Sequence, residues 1–180
     1  METSERTAPE VSPDEARAAW AVAARDVLVP TARNYRGLVT FKELAAAVQK
    51  KSGITTTQLT TYWIGDVLSR VADDCSSRGE PNLSSLCVDA TGSVGSGYVA
   101  IVARVRGETP EDGDMHAAEE RLECHRFFGA DLPTGGGTRA LSTQEKSRRD
   151  RAKKAAPYDG NTCSKCNMEL PASGMCDYCD

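Results

Sequence analysis

The chain lacks any run of 18 or more apolar residues, so no segment is expected to cross a bilayer as a helix. Its first residues, Met1-Glu-Thr-Ser-Glu5, are polar and acidic and do not read as a secretory leader. A cytoplasmic protein without a membrane partner is therefore expected. Aromatic residues make up only 6% of the chain, and histidine occurs twice, at His116 and His125, which leaves little material for imidazole catalysis. His125 follows Cys124 directly, but neighbours on a helix point about 100° apart, so a packed or surface histidine is expected. His116 lies near a helix start and reads as structural or solvated. No glycine-rich stretch is followed by Gly-Lys-Ser/Thr, and none is expected to lead from a buried strand into a helix, so a P-loop is not expected. Net positive charge is also missing: at −4 the chain is not a generic polyanion binder, and any nucleic-acid contact must come from local patches. No internal repeat is visible.

What is present is a chain of 180 residues, enough for one ordinary domain and a small module. Seven cysteines in a chain expected to be cytoplasmic point to metal rather than to disulfides. Cys75, Cys87 and Cys124 stand in apolar contexts and read as core residues. The other four form Cys163-Ser-Lys-Cys166 and Cys176-Asp-Tyr-Cys179, two CxxC knuckles nine residues apart. Each knuckle turns two sulfurs to one side, and two knuckles supply a tetrahedral set suited to one structural Zn²⁺. Some 20 residues cannot bury a core, so the metal is expected to supply the folding energy. Four thiolate ligands leave no open coordination position, which argues against catalytic zinc. The module resembles the small two-knuckle zinc ribbons.

Upstream, Ser12-Pro-Asp-Glu15 is a capping box with Pro at the first helical position, and Ala16, Trp20, Ala23/Ala24 and Val27 follow at helical spacing. Thr40 with Glu43 is a second box, with Leu44, Ala45 and Val48 as the stripe and Gly53 as the stop. Thr55 with Gln58 reads as a third, opening a longer helix striped by Leu59, Trp63, Val67 and Val71 and ended by Gly79. Thr91-Gly92 predicts a hairpin turn between strands 86–89 and 94–98, and the β-branched run 98–106 predicts a further strand. Asp114 is a candidate cap for a helix to about Phe128, with Met115, Ala118, Leu122 and His125 on one face. Helix, helix, hairpin is the order of a winged helix-turn-helix. The expected fold is α+β: a winged-helix core with flanking helices, then a small four-cysteine zinc ribbon. The expected parts are a disordered tail (1–11), a winged-helix-like domain (12–132), a flexible basic linker (133–160) that can be helical over 143–155, and the ribbon (161–180).

Gly37, Val39, Thr40, Phe41, Glu43, Leu44 and Ala45, then Ile64, Gly65 and Leu68, then Gly92, Val94 and Gly95 give this segment a family likeness. It resembles the DNA-binding domain of the alkylguanine-DNA alkyltransferases and the non-catalytic alkyltransferase-like proteins, over about a third of the chain. The resemblance implies a DNA-binding scaffold. The family's reactive cysteine position falls on Ser84, with no His-Arg pair after it, and the nearest thiol, Cys87, is three residues late, so alkyl transfer is not expected. The family's intercalating Arg position falls on Tyr62.

The functional expectation is a non-catalytic binder of double-stranded DNA. Thr56, Thr57, Gln58, Thr60, Thr61 and Tyr62 are the candidate groove contacts. In the linker, Arg148, Arg149, Arg151, Lys153 and Lys154, together with Lys146, are the candidate phosphate contacts. One alternative is a protein-interaction adaptor, with the ribbon as a docking module. A second is a divergent DNA-modifying or DNA-cleaving enzyme using Cys87, or Asp66, Asp73, Asp74 and Asp89, which no motif orders.

Overall fold

The computed structural model describes residues 6–7, 11–155, 163, 165, 166, 168–170, 176 and 179. The expected disorder of most of residues 1–11, and most of the expected ribbon outside its cysteines, lie outside the described residues. The chain forms two compact units, Met1–Glu145 and Lys146–Asp180.

In the first unit, β1 (Arg6–Thr7) precedes α1 (Pro13–Ala32), β2 (Val39–Thr40), α2 (Phe41–Ser52) and β3 (Ile54–Thr55). A 3-10 turn at Thr60–Tyr62 leads to α3 (Ile64–Ser77), and another at Leu83–Leu86 leads to β4 (Cys87–Val88), α4 (Gly95–Arg106) and α5 (Gly113–Phe127). Helix α6 (Thr143–Ala155) begins in this unit. Two short parallel strand pairs complete it: β1 with β3, and β2 with β4 in the register Val39↔Cys87 and Thr40↔Val88. The architecture is mixed helix and strand.

Helix α1 is the axis, and α2 and α3 both pack on it. Its buried face carries Ala16, Trp20, Ala23, Ala24, Leu28 and Ala32, all 7% exposed or less. Small residues let the neighbouring helices approach, while Trp20 fills the space by stacking on Trp63 at 4.4 Å between ring centroids. Leu44 and Val48 of α2 and Val67 and Val71 of α3 close the core. Each fully buried aliphatic contributes about 1.5–3 kcal/mol. Both expected capping boxes form: the Ser12 and Thr40 hydroxyls accept the Glu15 and Glu43 N–H, and each Glu accepts the N–H of its capping residue. Gly53 ends α2 at φ +68°, as a left-handed cap requires.

Four local expectations are corrected. The third helix does not start at Thr55. Ile54–Thr55 is a strand, Gln49 Oε1 accepts the Thr56 N–H at 2.8 Å, and the Thr56 hydroxyl accepts the Gln58 N–H at 3.2 Å. Those side-chain bonds give the Thr-rich backbone a non-helical alternative, and α3 begins only at Ile64. The hairpin wing is absent among the described residues, because Asp89 gathers the Thr91 and Ser93 N–H groups into a side-chain-capped turn that opens α4. Residues 98–106 lie in that helix: Tyr98, Ile101, Val102 and Val105 fall at helical spacing, and this stripe overrides their β-branched composition. Asp112 rather than Asp114 caps α5, accepting the Met115 N–H at 3.1 Å.

The compact unit also takes in much of the stretch expected to be linker. Tyr35 Oη accepts the Thr138 N–H at 3.0 Å, Arg139 pairs with Glu119, and the Ser142 hydroxyl donates to the Gly92 carbonyl at 2.7 Å. A Cβ on Gly92 would lie 2.2 Å from Ser142 Oγ, so the φ of +83° there and the close approach both require glycine.

Candidate metal centre and basic helix

The sulfurs of Cys163, Cys166, Cys176 and Cys179 all lie within 4.8 Å of one another, and Cys166 and Cys176 are 3.5 Å apart. A tetrahedral ion with metal–sulfur bonds of about 2.3 Å would set its sulfurs about 3.8 Å apart, so the four could hold a metal ion. The first knuckle turns at Lys165–Cys166, and the Cys163 N–H donates to the Met168 carbonyl at 2.8 Å, folding the chain back beside it. Backbone N–H groups of Cys166 and then Lys165 favour the Cys163 thiolate and lower its pKa to about 6. Cys179, hydrogen-bonded first to Cys166, is pushed up to about 12. A cation would relieve that crowding of negative charge.

The three remaining cysteines differ in kind. Cys75, Cys87 and Cys124 are at most 1% exposed, and burial raises the pKa of each thiol. They are core residues, as expected from sequence.

The second feature is charge. Residues 146–154 hold six cations against one carboxylate, which leaves −9 for the rest of the chain. This run lies on α6, where Lys146, Arg148, Arg151, Lys153 and Lys154 are exposed and Arg149 is half-buried. Lys153 and Lys154 in the last turn suit the negative end of the helix dipole. The four-cysteine set and these six cations belong to the same compact unit.

The candidate groove residues belong to the other unit. Thr57, Gln58, Thr61 and Tyr62 are exposed and Thr56 and Thr60 half-buried, all on the connection before α3 rather than on a helix face. Tyr62 is 73% and Leu59 67% exposed, in a run from Ser52 to Gly65 that carries no charge.

The residues considered for catalysis are otherwise engaged. Ser84 is 2% exposed and donates to Asn82 Oδ1 at 2.7 Å. Asp66 pairs with Arg17, Asp73 with Arg104, and Asp74 with Arg25 and Arg78, while Asp89 holds its turn. A cleft of about 260 Å³ is lined by Cys75, Glu80, Asn82 and Arg106 among others, but its charges are paired, Glu80 with Arg25 and Arg106 with Glu120.

His125 is structural. Its Nδ1 lies 2.7 Å from the Ala32 carbonyl and its Nε2 accepts the Arg36 N–H at 3.1 Å, so one neutral tautomer satisfies both contacts. Burial lowers its pKa. His116 Nδ1 meets the Tyr98 hydroxyl at 3.0 Å. A buried polar seam between the Leu83–Leu86 turn and α5 had no sequence signal. Glu120 accepts the Asn82 N–H at 3.0 Å, and Arg121 Nε donates to the Ser85 carbonyl at 2.7 Å. Charged residues in mid-helix ordinarily read as solvated, and only the fold turns these two inward.

Comparison with protein-family models, with curated proteins and with solved structures returns no match.

Proposed function

We propose that the chain is a non-catalytic, zinc-stabilised protein that binds double-stranded DNA. One observation carries the reading: a basic, solvent-exposed helix in a chain whose remainder is acidic, within the same compact unit as a four-cysteine cluster. Cations concentrated on one exposed helix suit phosphate contact, whereas the same cations dispersed would be a solvated surface. Zinc is the ion that four thiolates in this spacing favour, in a closed structural site. Lys146, Arg148, Arg149, Arg151, Lys153 and Lys154 supply the phosphate contacts. Thr57, Gln58 and Thr61 supply hydroxyl and amide groups for base edges, with Thr56 and Thr60 shaping the loop, and Tyr62 is the side chain available to enter the stack. Helices α2 and α3 both pack on α1, which is compatible with the scaffold the alkyltransferase-like resemblance implies, and α4 rather than a hairpin follows them.

The test is duplex binding as a function of salt. Changing Arg148, Arg151, Lys153 and Lys154 together to Ala should weaken binding to every sequence and flatten the salt slope by about 0.9 for each phosphate no longer neutralised. Gln58→Ala and Tyr62→Ala should weaken a preferred site more than random duplex. The exposed Leu59–Tyr62 pair favours a second reading, a protein-docking adaptor. If the parent ignores duplex even at low salt, the adaptor reading takes its place.

A further inference from the structure

We propose that the four-cysteine cluster is also an oxidant-sensitive switch, in which a Cys166–Cys176 disulfide expels the metal and disables the basic helix. The nucleic-acid part of this inference rests on the function proposed above. Two facts separate these thiols from the others in the chain. Cys166, Cys176 and Cys179 are partly exposed, whereas Cys75, Cys87 and Cys124 are sealed in the core. Cys166 and Cys176 come from different knuckles yet lie 3.5 Å apart, so a small shift brings them to bonding distance.

The oxidant is a hydroperoxide such as hydrogen peroxide. The Cys166 thiolate attacks one peroxide oxygen and the O–O bond breaks. The departing hydroxide takes a proton and leaves as water. The Cys176 thiolate then attacks the sulfur of the Cys166 sulfenic acid, and the S–S bond forms as the S–O bond breaks. The second hydroxide also leaves as water after protonation. The two sulfurs lose two electrons in all, and the peroxide gains them. Cys163 and Cys179 alone are too few ligands to retain a structural ion. Helix α6 is anchored at its first turn, where the Ser142 hydroxyl accepts the Glu145 N–H and Glu145 is buried, but from Lys146 on its residues are polar or alanine and offer no apolar stripe. A helix of that length is marginal by itself, so losing the metal-supported unit should fray it.

The experiment treats the zinc-loaded full chain with hydrogen peroxide and follows four readouts: zinc release to a chromogenic chelator, disulfide mapping by mass, helix content by circular dichroism, and duplex affinity. The expected result is release of about one zinc per chain, a Cys166–Cys176 link, and core cysteines that alkylate only after denaturation. Helix content should fall, and duplex affinity should fall at least tenfold, with recovery on adding dithiothreitol and zinc. A Cys75→Ala variant, whose metal site is intact, should respond identically. Zinc retained under excess peroxide, a disulfide mapped elsewhere, or undiminished duplex affinity after oxidation would overturn the switch. If the reduced, zinc-loaded chain never binds duplex, the proposed function fails and the affinity gate with it. Metal release and the disulfide map are then judged on their own readouts.

Discussion

The unit ending at Glu145 and the unit beginning at Lys146 use opposite means to hold a chain in place. The first buries aliphatic and aromatic side chains on a central helix, and its thiols are part of that core. In the second, the described residues offer four clustered sulfurs, an exposed Met168 and a helix with no apolar face. Cysteine shows the difference most directly: burial pushes the Cys87 thiol up, while backbone N–H groups bring the Cys163 thiol down to about 6. One sequence therefore uses the same residue as a small apolar filler and as a prospective metal ligand. Surroundings decide which chemistry it has.

The sharpest way to break the contrast is to deny the sulfur cluster its proposed metal. Chelation, or Cys163→Ser with Cys176→Ser, should unfold the second unit, because structural zinc supplies on the order of 10–16 kcal/mol in such modules. The thermal midpoint of the first unit should stay where it was. Calorimetry with and without chelator checks both halves, and a first unit that melts with the second would dissolve the distinction. Next in size is Leu28→Ala, at a position fully buried on α1. It should cost the first unit about 2–5 kcal/mol in urea unfolding and leave zinc affinity unchanged.

A smaller effect comes from His125. Burial holds its folded pKa below the ordinary value of 6.5, so the unfolded chain takes up the proton first as pH falls. The stability due to neutral His125 is thus fully present above about pH 6.5 and is lost as pH drops towards the folded value, at up to about 1.4 kcal/mol per pH unit. Unfolding measured at pH 7.5 and 5.5 should show this loss in the parent and a reduced loss in His125→Gln. Equal losses in the two proteins would mean that other groups set the pH dependence. The smallest expected change is Thr40→Ala, which removes the capping box of α2 and should cost about 1 kcal/mol, with no effect on the second unit.

Much of this was legible where the signal is local. Ser12 and Thr40 specified their caps, the α1 and α2 stripes specified their buried faces, and the two CxxC pairs specified the sulfur cluster. Each of these depends on residues a few positions apart. Local signals misled where they competed and packing had to choose between them. Thr55–Gln58 has the letters of a capping box, yet Gln49 claims the Thr56 N–H and the strand pairing of Ile54–Thr55 takes precedence. Tyr98–Arg106 has the composition of a strand, yet its stripe at helical spacing buries Tyr98, Ile101 and Val102.

The sequence by itself determined the caps, the helical stripes on α1 and α2, the four clustered sulfurs and the separation of charge, because each follows from spacing or composition along the chain. Only the tertiary structure decided where α3 begins, that the second strand of the expected wing is a helix, and that Glu120, Arg121 and His125 turn inward. The three inward turns depend on partners 36 to 93 residues away: Asn82 for Glu120 at a separation of 38, Ser85 for Arg121 at 36, and Ala32 for His125 at 93. A buried polar group is tolerated only where such a partner arrives, and the identity of that partner is fixed when the chain folds.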